Sequence, residues 1–188
     1  MNEKIEAALQ LALDAHRGQV RDGDPALPYF THPVNVLHRL YWVGGIRDEE
    51  TLLAGILHDT LEDTAVTEEQ IRSQFGDRVT RIVLEVTRTE PTEAEAAGLD
   101  PDAKYALRSQ LLLNDIRTRM SPEAHCIKLA DRLSNLEECL VVRQGKKLVR
   151  YILQTHEILE AIPRSVNPRL WDDLKALVPP PGTDLSQF

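Results

Sequence analysis

Apolar residues recur with the period of an α-helix along nearly all of this 188-residue chain. In residues 3–16 one helical face collects five apolar side chains: Ile5, Ala8, Leu9, Ala12 and Leu13. Later segments repeat this spacing, and none shows the alternation of apolar and polar residues that is typical of a half-buried β-strand. A chain of this length can bury one sizeable core. The sequence therefore predicts an all-α fold, a single helical bundle of about eight to ten helices.

Glycine, proline and helix-capping residues divide the chain into these helices. Helices are predicted over 3–16, from 33 to the glycine pair at 44–45, over 49–62, 67–75, 77–87 and 103–119, from 121 onward, over 146–162 and over 168–178. Thr67 and Gln70 indicate a capping box, and Ser121-Pro122 is typical of a helix start. The glycine-, proline- and acid-rich segments 18–31 and 89–102 are predicted to be exposed loops. The domain is predicted to span 1–178, followed by a flexible tail over 179–188.

Charge and composition exclude several classes of function. The net charge of −8 is unfavourable for a general binder of nucleic acids or membrane surfaces. No apolar run is long enough to span a membrane, and the acidic, amphipathic N-terminus is unlike a secretory signal. Cys126 and Cys139 lack the spacing of a metal knuckle and are predicted to be reduced packing residues. We therefore expect a cytoplasmic protein without nucleic-acid polymers or membranes as partners; the sequence does not specify its oligomeric state.

The stretch AGILHDTLEDT, residues 54–64, ends an apolar run in a dense group of charges. His58-Asp59 is followed one helical turn later by Glu62-Asp63, so three carboxylates crowd one imidazole. Such crowding indicates a bound divalent cation that offsets the repulsion, with an ion-pair network in the core as the alternative. Glu62 and Asp63 lie four residues after His58 and Asp59, on the same side of the helix, where they could hold a water or move a proton. A solvated helix end is the alternative for this pair.

A cation at this place needs ligands from other helices, and two residues are candidates. His32 stands at the start of the second helix, where capping is its alternative role. Asp131 lies in an otherwise apolar stripe and is costly to bury without a partner. With His58 and Asp59 they make two imidazoles and two carboxylates, a set suited to Mn²⁺, Fe²⁺ or Zn²⁺, and its oxygen content favours Mn²⁺.

Three segments resemble the HD superfamily of metal-dependent phosphohydrolases. They are AHRGQVRDGDPALPYFTHP (15–33), LLAGILHDTLEDT (52–64) and KLADRLSNL (128–136). More closely, they resemble the RelA/SpoT hydrolase domain and the stand-alone small alarmone hydrolases. The middle motif, HDxxED, is more specific than a bare His-Asp pair, and all three segments occur in the family's order.

The resemblance implies a role for nine residues. It implies that one Mn²⁺ is held by four ligands: His32, His58, Asp59 and Asp131. It implies a hydrolytic pair, Glu62 and Asp63. It implies a nucleotide pocket lined by three residues: Arg21, Asn135 and Tyr151. The implied reaction is Mn²⁺-dependent hydrolysis of guanosine tetra- or pentaphosphate, (p)ppGpp, to GDP or GTP and pyrophosphate through a metal-activated water.

The chain departs from this family at two places. At the first, Asp22 follows Arg21 where the family commonly has a basic or small residue. At the second, where the alarmone hydrolases usually carry a lysine-rich stretch, residues 89–102 are acidic, and Lys104 and Arg108 are candidates to supply the positive charge. Lys128 and Arg132 are predicted to form surface ion pairs, with a phosphate contact as the alternative for either residue. Three alternatives stay open: the same site acting on another phosphate ester such as the 2′-phosphate of NADPH, a nucleotide-sensing domain without catalysis, and a purely structural helical protein.

Overall fold

The computed structural model describes residues 3–21 and 27–185. Within these residues the chain forms eleven α-helical segments and no β-strand, so the predicted all-α class is confirmed. The segments are α1 (Glu3–Ala15), α2 (Thr31–His38), α3 (Glu49–Leu57), α4 (Thr60–Asp63), α5 (Glu68–Phe75), α6 (Asp77–Val86), α7 (Glu93–Ala96), α8 (Pro101–Thr118), α9 (Pro122–Val142), α10 (Gly145–Ala161) and α11 (Pro168–Leu177). A π-helical turn (Arg39–Val43) follows α2, and a 3₁₀ turn (Arg164–Val166) precedes α11. No helix in the described part of the chain combines the length and the apolar character that crossing a membrane requires.

Helix starts fall where capping residues predict them. Thr67 and Gln70 form a reciprocal capping box at the start of α5. Ser121 accepts a hydrogen bond from the backbone N–H of Ala124 at the start of α9, and Asp100 caps α8 in the same way. Each cap satisfies backbone N–H groups that the first helical turn leaves without an intrahelical partner.

Several predicted boundaries differ from the structure, most of them by one or two residues. The helix predicted over 49–62 is interrupted between α3 and α4. The second helix starts at Thr31, two residues earlier than predicted, because a proline is tolerated anywhere in a first turn whose N–H groups have no intrahelical partner. The loop predicted over 89–102 contains the single turn α7, which is closed by a capping box between Thr92 and Glu95.

The central helix of the bundle is α3. All residues from Thr51 to His58 are buried, and α3 packs against α1, α2, α6 and α9. Gly55 permits a close approach to the π-helical turn, because a Cβ at this position would lie 2.3 Å from Leu40 Cδ1. In turn, α9 packs against α2, α3, α6, α10 and α11. The start of α2, the end of α3 and the middle of α9 thus meet on one side of the molecule.

The segment before α2 and the C-terminal tail are described in part. A single antiparallel bridge between Val20 and Pro28 closes the base of the loop predicted over 18–31. Residues 22–26 of that loop and 186–188 of the predicted tail lie outside the described residues. Leu185, near the end of the described tail, packs against the hydrophobic core. The domain boundary at 178 stays a prediction.

Candidate metal centre and adjoining cleft

The four predicted metal ligands converge where α2, α3 and α9 meet. His32 Nε2 lies 3.2 Å from His58 Nε2, 3.4 Å from Asp59 Oδ2 and 3.3 Å from Asp131 Oδ1. His58 Nε2 lies 3.1 Å from Asp59 Oδ1 and 3.8 Å from Asp131 Oδ1. Both imidazoles are buried. His32, His58 and Asp59 offer ligand atoms that all lie within 4.8 Å of one another, as a shared cation requires, and Asp131 Oδ1 lies beside both imidazoles.

The outer ring nitrogen of each histidine is held by the protein. His58 Nδ1 donates to the Gly55 carbonyl oxygen at 2.9 Å, and His32 Nδ1 hydrogen-bonds with Ser134 Oγ at 3.2 Å. These bonds fix both rings with Nε2 turned toward the carboxylates. Because a neutral imidazole carries one N–H, the bond to the carbonyl leaves His58 Nε2 with a free lone pair. This is the orientation that a metal-binding histidine needs.

His58 and Asp59 reach the same point because the helix is interrupted there. Consecutive residues of an unbroken helix point about 100° apart. The helix α3 ends at Leu57, and Asp59 has φ −95° and ψ −6°, in the bridge region between helix and strand. Thr60 Oγ1 donates to the Leu57 carbonyl oxygen at 2.7 Å and satisfies an acceptor at the helix end. The sequence predicted an unbroken helix, whereas the interruption brings both side chains to the cluster.

The charges of the cluster are strongly coupled. Burial opposes a charge on His58, but Asp59 and Asp131 outweigh it and raise the pKa of His58 to about 10. Burial also opposes ionisation of Asp59, yet the positive charge of His58 holds the pKa of that carboxyl well below its usual range. The pKa of Asp131 is likewise low despite burial, chiefly because of Lys128. Two imidazoles and two ionised carboxylates are a donor set that fits a divalent transition-metal ion, which would replace the proton on His58.

Tyr29 belongs to the site, although the sequence analysis did not identify it. Its hydroxyl donates to Asp59 Oδ2 at 2.5 Å and lies 3.4 Å from Asp63 Oδ2. Its ring stacks on the buried ring of His16, with 4.6 Å between centroids. Burial, together with the charge of Asp59, raises the pKa of Tyr29, so the hydroxyl remains a donor. Its position three residues before His32, inside the first of the three motif segments, is the signal that could have found it.

Glu62 and Asp63 lie beside the cluster, on the wall of the cavity that the carboxylate ligands also line. Glu62 is held by Arg88: the backbone N–H of Arg88 donates to Oε1 at 2.5 Å, and its Nη2 donates to Oε2 at 2.7 Å. The backbone carbonyl oxygen of Asp63 accepts from Gln19 Nε2 at 2.8 Å. The sequence predicted the position of the acidic pair but not the contact between Glu62 and Arg88.

The three predicted nucleotide contacts, Arg21, Asn135 and Tyr151, line one cavity of about 300 Å³, here called the Arg21 chamber. Arg21 Nη2 donates to Asn135 Oδ1 at 2.7 Å, and Arg21 Nε donates to Glu138 Oε2 at 2.8 Å. Asn135 Nδ2 in turn donates to Asp131 Oδ1 at 2.5 Å. A chain of hydrogen bonds therefore joins this chamber to a predicted metal ligand.

A second cavity of about 340 Å³, here called the cationic chamber, includes the open side of the ligand cluster. Five basic residues line it: Arg88, Arg108, Lys128, Arg132 and Arg143. Of the two residues predicted to supply positive charge, Arg108 is among them and Lys104 is not. The two chambers share four lining residues: Tyr29, Asn135, Arg143 and Tyr151. They form one continuous cleft, and an anion in the cationic chamber would lie next to the ligand cluster.

Two of these basic residues do not behave as the sequence predicted. The prediction of a surface ion pair for Arg132 is wrong, because this side chain is buried, hydrogen-bonds with Gln154 and lies 4.0 Å from the ring centroid of Tyr151. Lys128 does form an ion pair, 3.1 Å from Asp131 Oδ2, but the pair lies within the site. Both residues flank Asp131 on α9 and are turned into the cleft with it.

Comparisons with known proteins agree on one family. A profile of the HD domain matches residues 8–161. The human protein guanosine-3′,5′-bis(diphosphate) 3′-pyrophosphohydrolase MESH1 is 36% identical over 134 residues, which are 71% of this chain and 68% of the human one. A protein of the same enzyme name from Aquifex aeolicus is 34% identical over 145 residues, and the matched part is 19% of its length. A solved structure described as a metazoan ortholog of SpoT that hydrolyzes ppGpp superposes with a TM-score of 0.80 and 29% identity over 94% of each chain.

Proposed function

Because the chain belongs to the HD-domain family, and within it to the SpoT/MESH1-type proteins, we propose that it hydrolyses (p)ppGpp with the aid of a divalent cation. The reaction adds one water, removes the 3′-pyrophosphate and yields GDP or GTP. One observation carries the proposal: four ligand atoms converge on the wall of a cleft that also contains a cationic chamber and the predicted nucleotide contacts.

The cation is assigned to His32, His58, Asp59 and Asp131. We propose Mn²⁺, with Fe²⁺ or Zn²⁺ as alternatives, because two carboxylate and two imidazole donors suit all three ions. A divalent ion bound by such ligands polarises a phosphoryl oxygen and lowers the pKa of water. Tyr29 supports the site by donating to Asp59 Oδ2, in the way that outer hydrogen bonds orient metal-binding carboxylates.

In the proposed complex the guanosine occupies the Arg21 chamber. Asn135 and Arg21 offer hydrogen-bonding groups there, and the ring of Tyr151 offers a flat face. The hydrogen bonds of Asn135 to Arg21 and Asp131 support this arrangement, because the proposed nucleoside contact then lies one hydrogen bond from the predicted ligands. The 3′ side of the ribose would therefore face the cationic chamber.

The 3′-pyrophosphate occupies the cationic chamber in this proposal. Lys128 and the buried Arg132 bring positive charge close to the ligand cluster, where charge-assisted hydrogen bonds to phosphate are strong. Glu62 and Asp63, one helical turn beyond the ligands, orient the attacking water and accept its proton. A carboxylate held by hydrogen bonds is already in place for this task and loses little freedom in the transition state.

The direct test is a hydrolysis assay with purified protein that has been stripped of metal and reloaded with Mn²⁺, Fe²⁺ or Zn²⁺. The substrates are (p)ppGpp, NADPH and a panel of nucleoside mono-, di- and triphosphates, with products separated by anion-exchange chromatography. We expect GDP or GTP and pyrophosphate, and a kcat/KM for (p)ppGpp that exceeds the others by about a hundredfold or more. A different phosphate ester whose kcat/KM equals or exceeds that of (p)ppGpp would overturn the proposal.

The strongest rival is hydrolysis of another phosphate ester, such as the 2′-phosphate of NADPH. Glu90 favours it, because this carboxylate lies 2.8 Å from Arg108 and 3.5 Å from Arg88 and so offsets part of the positive charge. A substrate with a single phosphate at the reacting position would need less cationic surface. The same assay separates the two reactions. A protein that binds (p)ppGpp and turns over no phosphate ester would instead be a nucleotide sensor.

We also propose that the protein acts in the cytoplasm on a small-molecule nucleotide. Cys126 and Cys139 are both buried free thiols, which supports a reducing compartment. The net charge of −8 supports neither nucleic-acid polymers nor membrane surfaces as partners.

A further inference from the structure

Arg88 holds the two carboxylate oxygens of Glu62 in two different ways. Its backbone N–H donates to Oε1 at 2.5 Å. Its guanidinium covers Oε2, with Nη2 at 2.7 Å and Nε at 3.2 Å. The backbone N–H belongs to the main chain two residues beyond the end of α6, whereas the guanidinium stands on a flexible side chain. One oxygen of Glu62 is thus anchored by the main chain and the other is covered by a group that can move.

The guanidinium of Arg88 is also easy to displace. Its side chain is 47% exposed, while that of Glu62 is 15% exposed. It lies 3.5 Å from Glu90, which itself pairs with the half-exposed Arg108 at 2.8 Å. Its exposed pair with Glu90 contributes little net free energy, so only the closer pair with the mostly buried Glu62 has to be exchanged for a contact with phosphate. The line Glu62–Arg88–Glu90–Arg108 is therefore a set of exchangeable partners along the cationic chamber.

We propose that Arg88 covers Glu62 in the substrate-free protein and moves onto the phosphate chain of the bound nucleotide, which uncovers Oε2 of Glu62 as a proton acceptor. This inference rests on the function proposed above and deepens it. A pyrophosphate group carries several negative charges and is a stronger acceptor for guanidinium than one carboxylate. After the exchange, Oε1 stays anchored by the backbone N–H, so Glu62 keeps its position. Arg88 is a positioning and specificity residue in this scheme: only a substrate with a charged phosphate chain in this chamber releases Glu62.

The first test replaces Arg88 by glutamine, which removes the guanidinium and keeps the backbone N–H. Binding of inorganic pyrophosphate to the Mn²⁺-loaded protein is measured by calorimetry, alongside kcat and KM for ppGpp. We expect pyrophosphate binding to weaken and KM to rise by about tenfold or more, with kcat changed by less than about threefold, because Glu62 is already uncovered. Arg88→Lys should retain pyrophosphate affinity to within about threefold.

Arg81→Gln is the matched control. Arg81 lies on α6, is 55% exposed and pairs with Glu85 outside the cleft, so its loss removes one positive charge without touching the chamber. Its pyrophosphate affinity should equal that of the wild type. If Arg88 only braced Glu62, Arg88→Gln would lower kcat and leave pyrophosphate binding and KM unchanged, and this result would overturn the inference.

A second variant tests the exchange by changing Glu62 instead of Arg88. It still tests the inference if Arg88→Gln does not fold. Glu62→Gln removes the negative charge that competes for Arg88, so pyrophosphate should bind severalfold more tightly than to the wild type. Unchanged or weaker binding would contradict the exchange. The proposed function and this inference can fail separately. A wild type that cannot hydrolyse (p)ppGpp refutes the proposed function. A wild type that hydrolyses (p)ppGpp, but whose Arg88 and Glu62 variants do not change pyrophosphate binding as expected, refutes only this inference.

Discussion

The carboxylate of Asp131 contacts four side chains, among them His58, whose Nε2 lies 3.8 Å from Oδ1. Its Oδ2 lies 3.1 Å from Lys128 Nζ, its Oδ1 accepts from Asn135 Nδ2 at 2.5 Å, and Oδ1 also lies 3.3 Å from His32 Nε2. A buried carboxylate needs such compensation. Asp131 could be recognised from the sequence for that reason, because an acid within an apolar helical stripe requires a partner. The partner of Glu62 could not be recognised in this way, because its contact depends on how the end of α6 packs beside α4.

Replacing Asp131 by asparagine keeps the shape of the side chain and removes its charge. We expect Mn²⁺ affinity to fall by about a hundredfold or more, because losing a ligand costs at least as much as losing an outer hydrogen bond to one. Metal content after dialysis, measured by mass spectrometry, checks this. Asp115→Asn is the control, since Asp115 is a buried acid on α8 that pairs with Arg119. A full complement of metal in Asp131→Asn would contradict the assignment.

The raised pKa of His58 makes the stability of the metal-free protein depend on pH. The folded-state value of about 10 exceeds the ordinary 6.5, so the stabilisation is fully present below about pH 6.5 and is lost as the pH rises through about 10. We expect the Tm of the metal-free protein to fall between about pH 7 and about pH 10. The Tm of the Mn²⁺-loaded protein should fall less, because the ligated imidazole carries no such proton. If Tm falls with pH by the same amount with and without chelator, His58 does not hold this proton.

The interruption between α3 and α4 determines where the site residues point. The helical spacing of the apolar residues over 49–62 predicted one unbroken helix. This spacing alone does not indicate the interruption between α3 and α4. The break depends on two side-chain bonds, from His58 Nδ1 to the Gly55 carbonyl oxygen and from Thr60 Oγ1 to that of Leu57. Helix starts could be predicted because capping is local in sequence, as at Ser121. The course of the chain through a site depends on side-chain contacts that only the folded protein makes.

The close contact between α3 and the π-helical turn leads to a prediction about Gly55. In Gly55→Ala the added Cβ would lie 2.3 Å from Leu40 Cδ1, and Leu40 is fully buried and has little room to move. We expect unfolding free energy to fall by about 1–3 kcal/mol, the usual cost of overpacking, and Mn²⁺ affinity to fall with it because Gly55 holds His58. Chemical denaturation and metal titration measure both effects.

A double-mutant cycle identifies the cause of the Gly55→Ala effect. If the clash with Leu40 is responsible, Gly55→Ala should add little further destabilisation in a Leu40→Ala background. If Gly55→Ala destabilises the Leu40→Ala protein as much as it destabilises the wild type, the strain arises from a contact other than the one with Leu40.

Considered as a whole, the molecule joins distant parts of its chain at one candidate cation site. The four ligands come from α2, from the end of α3 with the residue that follows it, and from α9. The sequence predicted this convergence because three carboxylates crowd His58 and because Asp131 is costly to bury without a partner. Among the basic residues of the cationic chamber it predicted Arg108 as a source of positive charge, but not Arg88 or Arg143, which come from segments that no local pattern brings together.

Metal removal should therefore lower the stability of the entire domain. A cation at about a hundred times its Kd stabilises the protein that binds it by about 3 kcal/mol. For a chain of this size that corresponds to a Tm shift of about 5–10 °C. Scanning calorimetry before and after chelation measures the shift, and Asp131→Asn, which lacks one ligand, should show little change on chelation. Equal shifts in both proteins would indicate that the cation binds at another place.

The order of the ligands along the chain has a consequence for biosynthesis. His32, His58 and Asp59 emerge from the ribosome early, but the coordination sphere cannot close until Asp131 has been translated and α9 has docked. A truncated or half-made polypeptide would carry three of the four donors and still lack a competent centre. If the proposed function is correct, an incomplete product of translation should not hydrolyse (p)ppGpp until α9 has been made and has docked.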